Sequence, residues 1–117
     1  LEQAVQFVLD SFEIMSGGEL YVQRIPSMKI TDLARAIDPK AKFEITGIRP
    51  GEKIHEEMIS IDDSRRTIQL EGRYVVNPIG AGWGYKNPRG LPVSDGFSYR
   101  SDNNDLWLDV DQLRLLI

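Results

Sequence analysis

Lys42-Phe43-Glu44-Ile45-Thr46-Gly47-Ile48-Arg49-Pro50-Gly51-Glu52-Lys53-Ile54-His55-Glu56 runs from an apolar, β-branched segment into a Pro-Gly corner. Residues 42–46 read as a strand. Pro50 fixes φ near −65° and Gly51 permits positive φ, so the corner is stiff and carries little bulk. It presents one guanidinium, Arg49, and three residues later one carboxylate, Glu52. An Arg fork on such a corner can grip a phosphate while a nearby Glu accepts from ribose hydroxyls. A plain surface turn closed by an Arg–Glu pair fits the same residues.

Working outward, the spacing predicts a helix from the first residues. Val5, Val8, Leu9 and Phe12 form an i, i+3, i+4, i+7 stripe, widened by Ala4, Met15, Phe7 and Ile14. Together these positions cover roughly 220° of the helix circumference, which calls for neighbours on two sides. Gly17-Gly18 stops the helix and Glu19 to Arg24 reads as a short strand, broken by Ile25-Pro26-Ser27. Thr31-Asp32 is expected to cap a helix over Leu33, Ala34 and Ile37 that ends before Pro39. Ile54 to Met58 reads as one helical turn. Thr67 to Leu70 and Tyr74 to Val76 read as a hairpin around Glu71-Gly72. Residues 78–96 hold half of the ten glycines and three of the six prolines, so they are expected to form a long loop. Asp109 is expected to cap a last helix, with Gln112 at the capping-box position. Trp107, between Leu106 and Leu108, reads as core, and Trp83 as an exposed loop anchor.

Composition narrows the classes. A chain of 117 residues makes one small domain, burying ~65% of its unfolded surface. No apolar run approaches the roughly 20 residues that span a bilayer. The absence of cysteine removes disulfides and thiolate metal sites and fits a cytoplasmic protein. A net charge of −4 argues against nucleic-acid binding. Lys29 to Ile37 can open a helix-turn-helix, but Asp38-Pro39 and a β-branched run follow where a basic recognition helix belongs. His55 is the one histidine, which leaves a His-based metal cluster without ligands and a Ser/His/Asp triad improbable. It reads as a capping or packing residue, with a general base as the alternative. Arg65-Arg66 reads as a solvated turn or a phosphate contact.

Gly47 to Glu56 resembles the Arg-Pro-Gly-Glu-Lys segment of extended short-chain dehydrogenase/reductase enzymes that act on nucleotide sugars. The likeness is closest to the inverting UDP-N-acetylglucosamine 4,6-dehydratases and their capsule and O-antigen relatives. It extends through Gly17-Gly18-Glu19-Leu20-Tyr21-Val22, Ile25-Pro26-Ser27-Met28-Lys29-Ile30-Thr31-Asp32-Leu33-Ala34, Asp62-Asp63-Ser64, Tyr99-Arg100-Ser101, Asn103-Asn104 and Trp107-Leu108. Residues 79–96 match least. Many superfamily relatives carry an Asn-x-Gly-Ser/Thr-Gly turn after the first strand of this region. Here Gln23-Arg24-Ile25-Pro26-Ser27 stands instead, which favours the dehydratase branch over a sugar epimerase.

The resemblance implies an α/β protein (α+β when taken alone): residues 1–117 as a single carboxy-terminal substrate-binding domain of a larger enzyme, with the amino-terminal Rossmann domain missing. It implies a UDP-N-acetylglucosamine or related UDP-sugar ligand, with Arg49 on the diphosphate and Glu52 on the ribose. In the parent enzyme NADP (or NAD) assists oxidation at C4, water leaves across C5–C6 and hydride returns to C6, with C5 epimerised in inverting members. The parent is expected to be a homo-oligomer serving bacterial surface-glycan synthesis, cytoplasmic, with or without a tether to the inner membrane. Superfamily reductases use a Tyr with a Lys four residues later. Here Tyr21, Tyr74, Tyr85 and Tyr99 are followed at that spacing by Ile25, Pro78, Arg89 and Asn103. Gly80-Ala81-Gly82-Trp83-Gly84 has the wrong spacing for a dinucleotide fingerprint. The chain is therefore expected to be inactive alone. A non-catalytic assembly or folding domain is the rival reading, and an epimerase substrate domain a further one.

Overall fold

The computed structural model describes residues 1–117. In chain order the elements are α1 (Glu2–Ile14), β1 (Leu20–Gln23), α2 (Ile30–Ile37), β2 (Glu57–Ile59), a 3₁₀ turn (Asp62–Arg66), β3 (Thr67–Leu70), β4 (Arg73–Val76), β5 (Leu91–Pro92), β6 (Tyr99–Arg100) and α3 (Val110–Arg114). They form two compact units, one of Leu1–Arg24 with Met58–Ser98 and one of Ile25–Glu57 with Tyr99–Ile117. The mixture of helices with antiparallel strands is the α+β form of the expected class.

The first unit is built on a four-stranded antiparallel sheet in the order β1-β4-β3-β5. β4 is central, and its Tyr74, Val75 and Val76 are all buried, as expected of a short β-branched and aromatic run with strands on both sides. The hairpin of β3 and β4 closes at Glu71-Gly72 as the sequence predicts, with Leu70 opposite Arg73 and Gly72 at φ +69°. Within 78–96, Leu91–Pro92 pairs with Ile68 and Gln69 as β5. Gly90 makes that approach feasible, since a Cβ there would lie 2.8 Å from the Gln69 carbonyl oxygen.

α1 contributes no buried residue. Val5, Val8, Leu9 and Phe12 are each half or more exposed, so this chain covers little of the predicted stripe. Arg73 fastens the helix: its guanidinium bonds Ser11 Oγ at 3.2 Å, pairs with Asp10 at 3.5 Å and lies 4.9 Å from the Phe7 ring centroid. Beyond the helix, Glu19 accepts the Ser16 and Gly17 N–H groups at 2.7 Å each. Trp83 lies against Gly18, where a Cβ would sit 3.1 Å from its ring, yet the indole is 59% exposed, matching the anchor expected at this position.

In the second unit α2 packs on α3, burying Ala36 and Leu113. α3 starts on the predicted capping box: Asp109 accepts from the Gln112 N–H and the Gln112 side chain accepts from the Asp109 N–H. Four local expectations are corrected. Lys29, not Thr31-Asp32, precedes the first turn of α2; its carbonyl accepts from Asp32 and Leu33, while the Asp32 side chain pairs with Arg35. Residues 42–46 form no strand, since no neighbouring strand offers them a ladder, and Ile45 is 95% exposed. Ile54 to Met58 is not a helical turn, because Glu57 already belongs to β2. Trp107 is half exposed rather than core, held by its Nε1–H on the Asn104 carbonyl at 2.7 Å.

No helix is long and apolar enough to cross a membrane. Leu113 is 2% exposed and Leu116 72%. Leu113→Ala is expected to cost about 2–5 kcal/mol of unfolding free energy and Leu116→Ala under about 0.5 kcal/mol, read from urea denaturation.

Candidate functional site

The Pro-Gly corner lies in the second unit. Gly51 has φ +85°, and the Glu52 N–H donates to the Arg49 carbonyl at 3.0 Å, closing a β-turn with Pro50 and Gly51 at its centre. The Arg49 N–H in turn donates to Glu52 Oε2 at 2.9 Å. Glu52 is thus held against the turn by a backbone bond. Its other oxygen lies 3.9 Å from Arg49 Nε, at the outer limit of an ion pair. The Arg49 side chain is 84% exposed and that of Glu52 51%. Sequence-predicted Arg49 and Glu52 are therefore brought together, and the guanidinium stands in open water.

Arg49 is held more loosely than five other arginines. Arg35, Arg66, Arg73, Arg100 and Arg114 all approach their carboxylates at 3.5 Å or less. Arg66, read from the sequence as a solvated turn or a phosphate contact, is committed inside the first unit to Asp63 and to the Asn77 carbonyl. Ser60 and Arg66 hydrogen bonds hold the Asp63 carboxyl below its ordinary range. The Asp62-Asp63-Ser64 motif thus makes a local knot, with Thr67 Oγ1 bonding the Asp63 carbonyl and Ser64 Oγ the Ile61 carbonyl.

The Tyr99-Arg100-Ser101 stretch singled out in the sequence meets the corner's segment within the same unit. Ser101 bonds Glu56 twice, its N–H donating to the Glu56 carbonyl at 2.9 Å and its Oγ accepting the Glu56 N–H at 3.0 Å. Next to this clasp, Arg100 makes a two-pronged pair with Asp102, Nε to Oδ1 and Nη2 to Oδ2, both 2.9 Å. His55 Nε2 lies 3.9 Å from Asp102 Oδ2, which supports neither a capping bond nor a buried packing role for this half-exposed ring. Partial desolvation raises the Asp102 carboxyl, but the Arg100 hydrogen bonds, with the charges of Arg100 and His55, outweigh it and hold it below its ordinary 3.8. Tyr99 Oη accepts the Ile25 N–H and donates to the Ile25 carbonyl, both at 2.9 Å. Asn104 Nδ2 donates to the Ile25 carbonyl and to Ser27 Oγ. The sequence reading assigned no role to Arg100 and Asp102; their signal was an Arg-x-Asp spacing inside an unbroken polar run, 100–105.

No cluster of three His, Cys, Asp or Glu side chains is placed to hold a metal. Gly80, Gly82 and Gly84 lie in irregular backbone, and no helix follows them before α3.

Residues 1–78 match the family described as polysaccharide biosynthesis protein. The chain belongs to that family. A UDP-N-acetylglucosamine 4,6-dehydratase (inverting) of Campylobacter jejuni subsp. jejuni serotype O:2 is 47% identical over 125 aligned positions, which cover 100% of this chain and 37% of that relative. The protein of the same description from serotype O:23/36 is 46% identical, over 97% of this chain and 36% of the relative. Among solved structures, the X-ray structure of Pen from Bacillus thuringiensis superposes with a TM-score of 0.79 at 26% identity, over 99% of this chain and 36% of that one. This family member thus spans little more than a third of the length of the curated relatives it matches.

A carboxylate whose pKa is depressed in the folded state stabilises the fold above its unfolded pKa and loses that contribution as pH falls through the folded value. Asp102→Asn should therefore lower the urea midpoint only slightly at neutral pH, as suits an exposed ion pair, and even that gap should close as pH drops below 3.8. Urea midpoints of both proteins across pH check this.

Proposed function

We propose that this chain is the nucleotide-sugar-binding domain of a UDP-N-acetylglucosamine 4,6-dehydratase working in bacterial surface polysaccharide synthesis. Residues 1–117 act as one carboxy-terminal substrate domain, and the redox and proton-transfer work falls to residues outside them. NADP, bound elsewhere in the parent polypeptide, supplies the oxidising and reducing equivalents at the sugar. The chain alone is inactive, and the parent is a cytoplasmic homo-oligomer.

One observation carries this reading. An 84%-exposed guanidinium, loosely tied at 3.9 Å, stands beside a carboxylate pinned to the same stiff turn. Arg49 offers a flat fork of N–H donors for the diphosphate, and Glu52 keeps lone pairs for two ribose hydroxyls. Holding the nucleotide there fixes where the sugar points, so binding energy spent on the remote diphosphate serves the chemistry at the hexose. Near whole-chain likeness to two relatives described as UDP-N-acetylglucosamine 4,6-dehydratase (inverting) supports the same ligand class.

A rival reading draws on α1. Its apolar side chains are exposed along most of its length, as suits an element whose task is assembly with a partner surface. Titration of the chain with UDP separates the two. Arg49→Ala is expected to weaken UDP binding about tenfold or more, the usual worth of a charge-assisted pair of hydrogen bonds. Arg35→Ala should leave it unchanged, because that guanidinium is occupied by Asp32 and lies over the Phe43 ring. Equal affinities for parent chain and Arg49→Ala would favour the assembly role. Joining the missing part of a dehydratase polypeptide to this chain should yield dehydration of UDP-N-acetylglucosamine that Arg49→Ala impairs.

A further inference from the structure

The corner at Arg49 supplies one guanidinium, whereas a nucleoside diphosphate carries two anionic phosphates. We propose that Arg100 grips the distal phosphate of a ligand whose proximal phosphate and ribose lie at Arg49 and Glu52; this rests on the nucleotide reading above.

Three observations point to it. First, Arg100 has spare capacity. A guanidinium has five N–H donors, and Asp102 takes two of them through Nε and Nη2, leaving three on Nη1 and the outer side of Nη2. The edge facing the carboxylate is used, and the opposite edge is open to an oxyanion. The side chain is 40% exposed, so an incoming phosphate does not meet a sealed group. Secondly, the fork is held in advance. An exposed ion pair two residues apart adds little stability, but its two parallel bonds fix the plane and direction of the guanidinium before any ligand arrives. Asp102 is thus a positioning residue, and its charge is offset by Arg100 itself and, when protonated, by His55 at 3.9 Å. Thirdly, Arg100 is tethered to the corner's own segment. Both backbone groups of Glu56 are bonded by Ser101, the next residue. Glu52 lies only four residues before Glu56, at most about 14 Å of chain.

The two cations then have separable signatures. Arg49 should read the phosphate next to the ribose, and Arg100 only the one beyond it. The test titrates the chain with uridine, UMP and UDP, comparing the parent with Arg49→Ala, Arg100→Ala and Arg100→Lys, each checked for an unchanged urea midpoint. Arg49→Ala is expected to weaken UMP and UDP together. Arg100→Ala is expected to weaken UDP about tenfold while UMP changes less than about twofold, and Arg100→Lys to fall between, a point charge replacing a fork. An Arg100→Ala chain that binds UDP as the parent does overturns the proposal, and so does one that loses UMP and UDP alike. In either case a loss confined to Arg49→Ala leaves the nucleotide reading standing. Indifference of UDP to both variants removes both. If Arg100→Ala shifts the urea midpoint, the UDP-to-UMP affinity ratio of Arg100→Lys decides: a ratio equal to the parent's overturns the proposal.

Discussion

Pro26 has no N–H, and that one missing donor governs how the second unit is built. A strand cannot run through Ile25-Pro26-Ser27 with a continuous ladder, so the polar backbone groups on either side of the proline need other partners. Side chains from a distant stretch provide them. Tyr99 both donates to and accepts from Ile25, and Asn104 bonds Ile25 and Ser27. Ser27 then pairs in parallel with the backbone at Leu106 and Leu108. One short stretch, 99–108, thereby serves as the frame, and the segment carrying Arg49 is fastened to it through Ser101 and Glu56. The segment of the candidate corner is therefore fastened at Glu56, apart from the charged side chains of Arg49 and Glu52.

That separation has an energetic consequence. The Arg49–Glu52 contact is long and bathed in water, a class of ion pair that adds little to stability. The rigidity of the corner comes from Pro50, from Gly51 at positive φ and from the Glu52-to-Arg49 backbone bond. A ligand can draw the guanidinium away without loosening the turn. The tight pairs, Arg66 with Asp63 and Arg73 with Asp10 and Ser11, tie strand ends and helix instead, and their substitution reports on folding rather than on recognition.

What the sequence made legible was chemistry that acts within a few residues. The Asp109–Gln112 box, the Glu71-Gly72 turn and the Pro50-Gly51 corner are all local, and all three are present. What it hid was set by distant partners. Lys42 to Thr46 has the composition of a strand, but propensity makes no ladder without a neighbour, and Phe43 ends beneath Arg35 instead. Ile54 to Met58 reads as a helical turn, but the backbone of Glu56 is claimed by Ser101, forty-five positions away. Trp107 has an apolar setting in the chain, yet its indole N–H needs an acceptor and finds one at the half-exposed Asn104 carbonyl. Arg49 and Glu52 were legible as a pair, since three residues across a turn can meet only one way. Arg100 was not, because its meaning depends on which segment Ser101 clasps.

The acidic balance of the chain, −4 overall, bears on anion recognition only through where the charges sit. Aspartates at 10, 32, 63, 102 and 111 are each spent on an arginine within 3.5 Å. Pairing of this kind neutralises the field around a carboxylate over distances beyond a Debye length of about 8 Å, while leaving short-range donors intact. A phosphate arriving at Arg49 meets a guanidinium with nearly all its donors free, and the repulsion from Glu52 is limited because that carboxylate is turned onto a backbone N–H. A net charge of −4 thus argues against a broad basic face of the kind a nucleic acid requires, and is compatible with a compact site of the kind proposed for Arg49.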